Sequence, residues 1–162
     1  AYENGFHAIA ARLSNIVGGG MRRGIVYDFV TRLSADPSKL TVLGNGAQTR
    51  SFLHVSDCVT ALRLLADRAD ASPGFASYDV CNTDTTSAAD VARMAVAEFP
   101  GPTGAVVLGE GEQGWPGDIA TVRITPQRLW RLGWRPRLDS AGSVRAALRE
   151  LIAESEVGAH DG

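Results

Sequence analysis

Residues 7–20 read HAIAARLSNIVGGG, and the order of apolar, polar and glycine residues in this stretch decides the fold class. The apolar run 7–13 predicts a buried strand of a parallel sheet, because such strands are covered on both faces and lose the alternation of a half-exposed strand. Three glycines then end the unit in a loop. Ser14 and Asn15 follow the strand directly, at the edge where open α/β sheets bind ligands. The Asn15 amide could donate to a substrate oxygen or satisfy the backbone of a turn.

Alternating strand and helix patterns continue along the chain and favour an α/β fold. Short apolar runs predict further strands at 40–43, 50–55, 78–81 and 106–108. Apolar residues at helical spacing predict helices at 25–33, 58–69, 88–99, 125–132 and 140–154. Ser56-Asp57 and Ser87 are candidate N-caps. Thr125-Pro126 fits a threonine cap with proline at the first helical position.

The length, composition and charge are typical of one soluble globular domain. A chain of 162 residues, of which 44% are hydrophobic, can bury a core. Its formal net charge of -2 gives no sign of a nucleic-acid or membrane surface. No apolar run approaches the ~20 residues that a bilayer span needs. We therefore expect a cytoplasmic protein with neither nucleic-acid nor membrane partners.

The cysteines and histidines do not indicate a metal site. Cys58 and Cys81 lie in apolar surroundings without a C-x-x-C pattern, so we expect buried, reduced thiols rather than a redox or metal centre. His7, His54 and His160 are far apart in the sequence. No metal ligand is therefore assigned.

The stretch 105–118, AVVLGEGEQGWPGD, contains a G-x-G-x-x-G match at 109–114. In a dinucleotide-binding fingerprint a helix opens inside the motif, so that its N-terminus faces the pyrophosphate. Here Trp115, Pro116 and Gly117 follow instead and favour a turn. No second strand with an acidic residue about twenty positions on completes a βαβ unit. The loop is therefore predicted not to cradle a dinucleotide.

Two polar stretches could contribute to a binding site. In 43–57, LGNGAQTRSFLHVSD, glycines bring backbone N–H groups close to a ligand, and Arg50 could clamp a diphosphate with its two-pronged guanidinium. The alternative is that Arg50 is a surface residue beside a hairpin. His54 is better explained as a packed histidine than as a base. Asp118 could accept hydrogen bonds from sugar hydroxyls with Trp115 as a pocket wall, or both could belong to a rigid surface turn.

The order of these stretches resembles the C-terminal half of the extended short-chain dehydrogenase/reductases, in particular the NAD-dependent nucleotide-sugar epimerases and dehydratases. The likeness is greatest to members of the UDP-glucose 4-epimerase type. The segments that carry it cover nearly the whole chain in order: ARLSNIVGGG, GIVYDFVTRL, LTVLGNGAQTRSFLHVSDCVTAL, YDVCNTDTTSAADVA and GWPGDIATVRITPQRLWRLGWRPR.

The resemblance implies a fold and a division of the chain. The fold would be the α/β, Rossmann-type fold of that family, with its N-terminal NAD-binding half outside this chain. Residues 1–18 would end the Rossmann-type half, 19–156 would form the nucleotide-sugar-binding portion, and 157–162 would be a frayed tail. The opening at Ala1, without a methionine or a signal peptide, also indicates a chain cut within a domain.

The resemblance also implies an activity for the intact enzyme. It would be a homodimeric, NAD-dependent isomerase of carbohydrate metabolism that interconverts UDP-glucose and UDP-galactose through a transient 4-keto sugar. A nucleotide-sugar 4,6-dehydratase or reductase of the same family, or a non-catalytic nucleotide-sugar-binding module, is the alternative. The family removes the sugar hydroxyl proton with the tyrosine of Y-x-x-x-K, but Tyr2, Tyr27 and Tyr78 all lack a lysine four positions on. No catalytic residue is therefore assigned, and the chain alone is expected to be inactive.

Particular residues take roles by the same resemblance. Ser14 would lie beside the nicotinamide of NAD, which the other half would mainly bind. Relatives often have proline and then arginine where this chain has Gly19 and Gly20, so this loop is expected to be looser. Many relatives also have a diphosphate-binding arginine in place of Gln113, so diphosphate binding is expected to be weaker without that charge. The substrate-binding residues so implied are Asn15 and Arg50 at the diphosphate, Asp118 near the ribose, and Leu43 and Gly44 along the nucleotide.

Overall fold

The computed structural model of the chain describes residues 7–68, 74–111 and 124–160. Within these ranges the backbone forms eight strands and five helices. The strands are β1 (His7–Leu13), β2 (Asn15–Val17), β3 (Lys39–Val42), β4 (Thr49–Arg50), β5 (Phe52–His54), β6 (Gly74–Val80), β7 (Thr86–Ser87) and β8 (Ala105–Leu108). The helices are α1 (Ile25–Ala35), α2 (Val55–Ala66), α3 (Ala88–Glu98), α4 (Gln127–Arg131) and α5 (Ser140–His160). Among these helices, none is long and apolar enough to cross a membrane.

The strands pair mainly in parallel, which confirms the predicted α/β class. β1 runs parallel to β6 along its whole length, from the pair His7 and Gly74 to the pair Leu13 and Val80. The strand lies where it was predicted, but its side chains are half-buried or exposed rather than buried, and among the described residues only β6 pairs with it. β2 pairs in parallel with β5, and β3 with β8, whereas β4 and β7 are antiparallel. Parallel partners need long connections, because the chain must return to the same end of the sheet before the second strand begins. At least one helix lies in each of these connections.

The helices bury two apolar cores against the strands. The first core lies among α1, α3, α5 and β3, with Leu33 and Leu148 fully buried. The second lies among α2, α4, β5 and β6, with Leu53 and Leu129 fully buried. Helix α1 is the clearest case of a confirmed pattern, because the apolar residues at helical spacing are the ones that face the core. Its buried side chains are Val26, Phe29, Val30 and Leu33.

Contacts with distant segments change the predicted start of α2 and add the strands β2 and β7, and the predicted strand 50–55 divides into β4 and β5. Residues 15–17, for which no strand was predicted, form β2 because their backbone pairs with β5. Helix α2 begins at Val55, earlier than the predicted Ser56-Asp57 cap. The reason is that the N-cap is His54, whose ring accepts a hydrogen bond from the backbone N–H of Ser56. The histidine ring therefore does what a serine or aspartate side chain does at most helix starts.

Asp57 is therefore not a helix cap but a buried tie between segments. It lies in the first turn of α2 and is completely buried. Its Oδ2 accepts hydrogen bonds from the backbone N–H groups of Arg137 at 3.0 Å and Leu138 at 3.2 Å. Because those residues come just before α5, the Asp57 carboxylate joins α2 to the chain that leads into α5.

The last two helices also differ from the predictions at their ends. Pro126 is the N-cap of α4 rather than its first helical residue, and no side chain caps this helix, so the expected Thr125 cap is wrong. Helix α5 continues to His160, past the predicted end at residue 154. No proline follows residue 154 to stop it. The backbone of residues 157–160, which were assigned to a frayed tail, is therefore helical.

Replacing Asp57 by alanine should lower the free energy of unfolding by about 3 kcal/mol, because two backbone N–H groups lose a charged, buried acceptor. Asp57→Asn should cost less, since an amide oxygen can still accept one of the bonds. Chemical denaturation followed by circular dichroism measures both effects. Asp67→Ala, at the exposed C-cap of the same helix, is the matched control and should change stability by less than about 0.5 kcal/mol. An Asp57→Ala variant as stable as the parent would contradict the proposed tie.

Candidate functional site

A cavity of about 910 Å³ lies between β2, the N-terminal half of α1, the end of β3 and the segment that leads into β5. These elements meet because β2 pairs with β5 in parallel and α1 follows the glycine loop after β2. Cavities of this size are typical of small-molecule sites. The wall combines apolar side chains, such as Val17, Phe29 and Phe52, with polar and charged ones.

Asn15, Leu43 and Arg50, three of the residues singled out from the sequence, line this cavity. Asn15 begins β2, and its backbone N and its Nδ2 both donate to the carbonyl oxygen of Ser51, at 3.2 and 3.1 Å. The amide group therefore ties β2 to the start of β5 instead of satisfying a local turn. Nδ2 carries a second N–H, which can donate to a ligand in the cavity.

Arg50 is half-buried in the cavity wall. Its Nη1 donates to the carbonyl oxygen of Thr49 at 2.8 Å. Its strand, β4, pairs antiparallel with β7 through Arg50 and Thr86, whereas β3 pairs with β8. The chain therefore forms no hairpin at this point, and the alternative of a surface arginine beside a hairpin is wrong. The pairing fixes the backbone that carries the guanidinium.

The other predicted site residues lie beside the cavity or outside the described part of the chain. The backbone N–H of Ser14 donates to the carbonyl oxygen of Val80 at 3.1 Å, and its Oγ is buried without a hydrogen-bond partner among the described residues. Gly44 follows the end of β3 but does not line the cavity. Asp118 belongs to the stretch 112–123, which lies outside the described residues.

The start of the glycine-rich stretch lies against the same side of the molecule. The backbone N–H of Gly109 donates to the carbonyl oxygen of Val42 at 3.1 Å. The backbone N–H of Asn45 donates to the carbonyl oxygen of Gly111 at 2.8 Å. These two bonds hold residues 109–111 beside the end of β3. Since Val42 itself lines the cavity, the first residues of the glycine-rich stretch are neighbours of the cavity wall.

Three further arginines, which were not predicted as site residues from the sequence, line the cavity. The wall holds Arg22, Arg23 and Arg32 as well as Arg50, and in the described part of the chain Asp28 is the one acidic lining residue. For two of these arginines, the sequence position gives a reason to expect an anion-binding role. Arg22 and Arg23 stand just before the N-terminus of α1, where a positive charge opposes the helix dipole. Basic residues in such a position become favourable when an anion binds between them.

The contacts of these three arginines differ. Arg22 donates to the carboxylate of Glu154 at 3.1 Å, and Arg32 donates to the carbonyl oxygen of Thr41 at 3.1 Å. Arg23 is exposed, and within the described residues it makes no hydrogen bond or ion pair. The Arg23 guanidinium can therefore bind an anionic ligand without first breaking a hydrogen bond to another described residue.

Helix α1 itself starts in the cavity wall. Gly24 is its N-cap and has no side chain to accept hydrogen bonds from the first turn, where the N–H groups lack helical partners. Gly24, Ile25 and Val26 all line the cavity. The partial positive charge at this helix end adds to the charge of the arginines.

His54 and the two cysteines have structural roles away from the cavity. His54 is buried, as predicted, and its Nδ1 lies 2.8 Å from Ser56 Oγ. Cys58 and Cys81 are free and buried, which confirms that prediction, and burial raises the pKa of the Cys58 thiol. Burial, with a smaller effect of the Asp79 carboxylate, raises the pKa of Cys81 to about 11. Among the described residues, no group of His, Cys, Asp and Glu could hold a metal ion.

The sequence model of the NAD dependent epimerase/dehydratase family matches residues 1–81. The chain therefore belongs to the NAD-dependent epimerase/dehydratase family, in agreement with its parallel strand pairs. No curated protein gives a significant sequence match.

Solved structures match the chain over most of its length. A UDP-galactose 4-epimerase is 29% identical with a TM-score of 0.78, and the match covers 90% of this chain and 46% of that one. A UDP-glucose 4-epimerase from Thermus thermophilus in complex with NAD is 24% identical with a TM-score of 0.64, covering 88% and 46%. A dTDP-glucose 4,6-dehydratase from Bacillus anthracis in complex with NAD is 16% identical with a TM-score of 0.71, covering 91% and 45%. The last two show the fold alone, and the chain spans about half the length of each of the three.

Alkylation by iodoacetamide at pH 8 should be slow at Cys81 in the folded chain, because the reactive thiolate is scarce when the thiol pKa is about 11. Relative to the same chain in urea, the rate should fall by about 100-fold or more from the pKa alone, and burial slows it further. Mass spectrometry of the modified peptides measures the rate at each cysteine. Labelling of Cys81 at the same rate in the folded and unfolded chains would contradict its burial.

Proposed function

We propose that this chain is the C-terminal, substrate-binding portion of an NAD-dependent nucleotide-sugar epimerase that interconverts UDP-glucose and UDP-galactose at C4 of the sugar. The observation that carries the proposal is the arginine-lined cavity in which Asn15, Leu43 and Arg50 meet. In this proposal residues 1–18 complete the NAD-binding half, and residues 19–156 bind the nucleotide sugar. The similarity to a UDP-galactose 4-epimerase at 29% identity supports it.

The charges of the cavity suit the diphosphate of a nucleotide sugar. Arg50 and Arg23 present guanidinium groups, which bind phosphate oxygens through paired hydrogen bonds. The start of α1 at Gly24 adds N–H groups that no side chain caps, an arrangement that favours phosphate. The Asn15 amide lies in the same wall and would contact the diphosphate. Among the described lining residues, four arginines against one aspartate leave an excess of positive charge, which a dianionic ligand would reduce.

The nucleotide would lie along the end of β3. Leu43 is an exposed apolar side chain in the cavity wall, and an apolar surface of this kind suits the face of a base. Gly44 follows it, and the proposal places both against the nucleotide. Asp118, in the stretch that continues from residues 109–111, would accept hydrogen bonds from the ribose hydroxyls.

Ser14 fits a position beside the cofactor. Its Oγ is buried without a partner among the described residues, and it stands at the carboxyl end of β1, the edge where α/β sheets bind cofactors. The proposal places this hydroxyl next to the nicotinamide. When bound, NAD would supply the hydride acceptor and donor of the reaction. The catalytic base and the glycine-rich NAD loop are assigned to polypeptide outside this chain.

Isothermal titration calorimetry with UDP-galactose tests the proposed function. We expect the chain to bind UDP-galactose with a millimolar or smaller Kd and to show no binding of NAD on its own, because Ser14 is the single residue assigned to the cofactor. Tight NAD binding without UDP-galactose binding would contradict the proposal. Tighter binding of dTDP-glucose than of UDP-galactose would favour a 4,6-dehydratase.

Arg50→Ala should weaken UDP-galactose binding by about 10- to 100-fold, the effect of losing one charge-assisted hydrogen-bonding group. Arg50→Lys should recover part of the affinity, because the charge returns without the two-pronged geometry. Arg93→Ala is the matched control, since Arg93 pairs with Asp90 on the surface of α3 and should leave the Kd unchanged. Equal affinity of the parent and Arg50→Ala would show that Arg50 has a purely structural role.

A further inference from the structure

The glycine loop between β2 and α1 is hydrogen-bonded to the last helix. The backbone N–H of Gly19 donates to Glu150 Oε2, and the N–H of Gly20 donates to Glu154 Oε1, both at 2.6 Å. The partners are more than 130 positions apart in the sequence. These bonds are charge-assisted and short, which places them among the stronger hydrogen bonds of proteins. The loop, expected to be loose because of its glycines, is therefore held at two consecutive N–H groups.

Glycine is required for this approach at two positions. A side chain at Gly18 would place its Cβ 2.6 Å from Val55 Cγ1, so the loop packs directly on the first turn of α2. Gly20 has a φ of 75°, in the left-handed region that favours glycine. The three consecutive glycines thus let two adjacent N–H groups reach carboxylates on α5.

Each carboxylate has a second partner that fixes its position. Glu150 Oε2 also lies 3.2 Å from Nε2 of the buried His54, the N-cap residue of α2. Glu154 Oε2 accepts from Nη1 of Arg22, a cavity residue, at 3.1 Å. The ion pair between Arg22 and Glu154 is largely exposed and by itself contributes little. Its effect is to orient Arg22 and the carboxylate relative to the loop.

The loop leads directly into the cavity wall. Met21, Arg22, Arg23 and Gly24 follow it without interruption, and all four line the cavity. Helix α5, which carries the two carboxylates, is held rigidly, because its residues Leu148, Leu151 and Ile152 belong to the first apolar core. A displacement of residues 18–20 would move the wall, whereas α5 cannot follow without breaking that core.

We propose that Glu150 and Glu154 are positioning residues for the ligand cavity, which hold residues 18–20 so that residues 21–24 form the cavity wall before the ligand arrives. The inference rests on the proposed function, since the ligand is taken to be a nucleotide sugar. Neither carboxylate lines the cavity, so both act through the loop. Pre-organisation of this kind raises affinity because the ordering cost is met before binding.

Paired substitutions of the two carboxylates test the inference. If the released loop holds the wall in place for about a tenth of the time, the double variant Glu150→Leu/Glu154→Leu should bind UDP-galactose about 10-fold more weakly. Glu150→Gln/Glu154→Gln keeps amide oxygens that can accept from Gly19 and Gly20 and should lose less affinity. Amide hydrogen exchange by NMR should be faster at Gly19 and Gly20 in the leucine variant. Calorimetry and exchange are measured on the same samples, with circular dichroism to confirm folding.

Glu98→Gln is the matched control, because it removes another carboxylate that bonds to α5, through Arg149 at 2.8 Å, away from the loop. It should leave the Kd unchanged. Equal UDP-galactose affinity of the parent and the glutamine variant, together with unchanged affinity of the leucine variant where that variant folds, would overturn the inference even if exchange at Gly19 and Gly20 became faster. Failure of the unaltered chain to bind UDP-galactose would instead overturn the proposed function, and with it the role in binding.

Discussion

The arrangement of this chain depends on how β5 satisfies its backbone. One edge of β5 pairs with β2. Toward α5, the N–H groups of Phe52 and His54 donate to the side-chain hydroxyls of Ser140 and Ser143, both at 3.1 Å. Buried N–H groups need partners, and here two serines at the start of a helix provide them in place of a neighbouring strand. The contact places α5 directly against β5, whose first residue, Phe52, lines the cavity and whose last residue precedes α2.

A buried layer of polar side chains extends from this contact. Asn82 Nδ2 donates to the carbonyl oxygen of Phe52 at 2.7 Å, and Ser51 Oγ donates to the carbonyl oxygen of Asn82 at 2.9 Å. Thr86 Oγ1 lies 2.8 Å from the hydroxyl of Ser140. Such networks fix one arrangement of the elements when every group is satisfied. The layer also reaches the cavity, since the carbonyl oxygen of Ser51 accepts from the Asn15 amide.

Helix α5 therefore fixes both sides of the candidate site. Its first residues hold β5 through the two serines, and its later residues hold the glycine loop through Glu150 and Glu154. Between these contacts the arginine side chains collect in one wall, a concentration of like charge that would destabilise the chain in the absence of an anion. The positive charge of this wall supports the proposed ligand, an anionic nucleotide sugar, and the contacts of α5 hold the wall that would bind it.

The sequence by itself determined the α/β class, because apolar runs and helical stripes are local and predict where elements form, as the positions of β1 and α1 show. It also singled out Asn15 and Arg50, whose polar and charged groups suit an anionic ligand, and, through the family resemblance, the apolar Leu43. All three meet in the cavity. Only the tertiary structure decided the rest. β2, the buried tie of Asp57 and the carboxylates that hold Gly19 and Gly20 all depend on partners at least 36 positions away. No local pattern records such a partner, since the hydrogen bond exists only once packing has brought the two segments together.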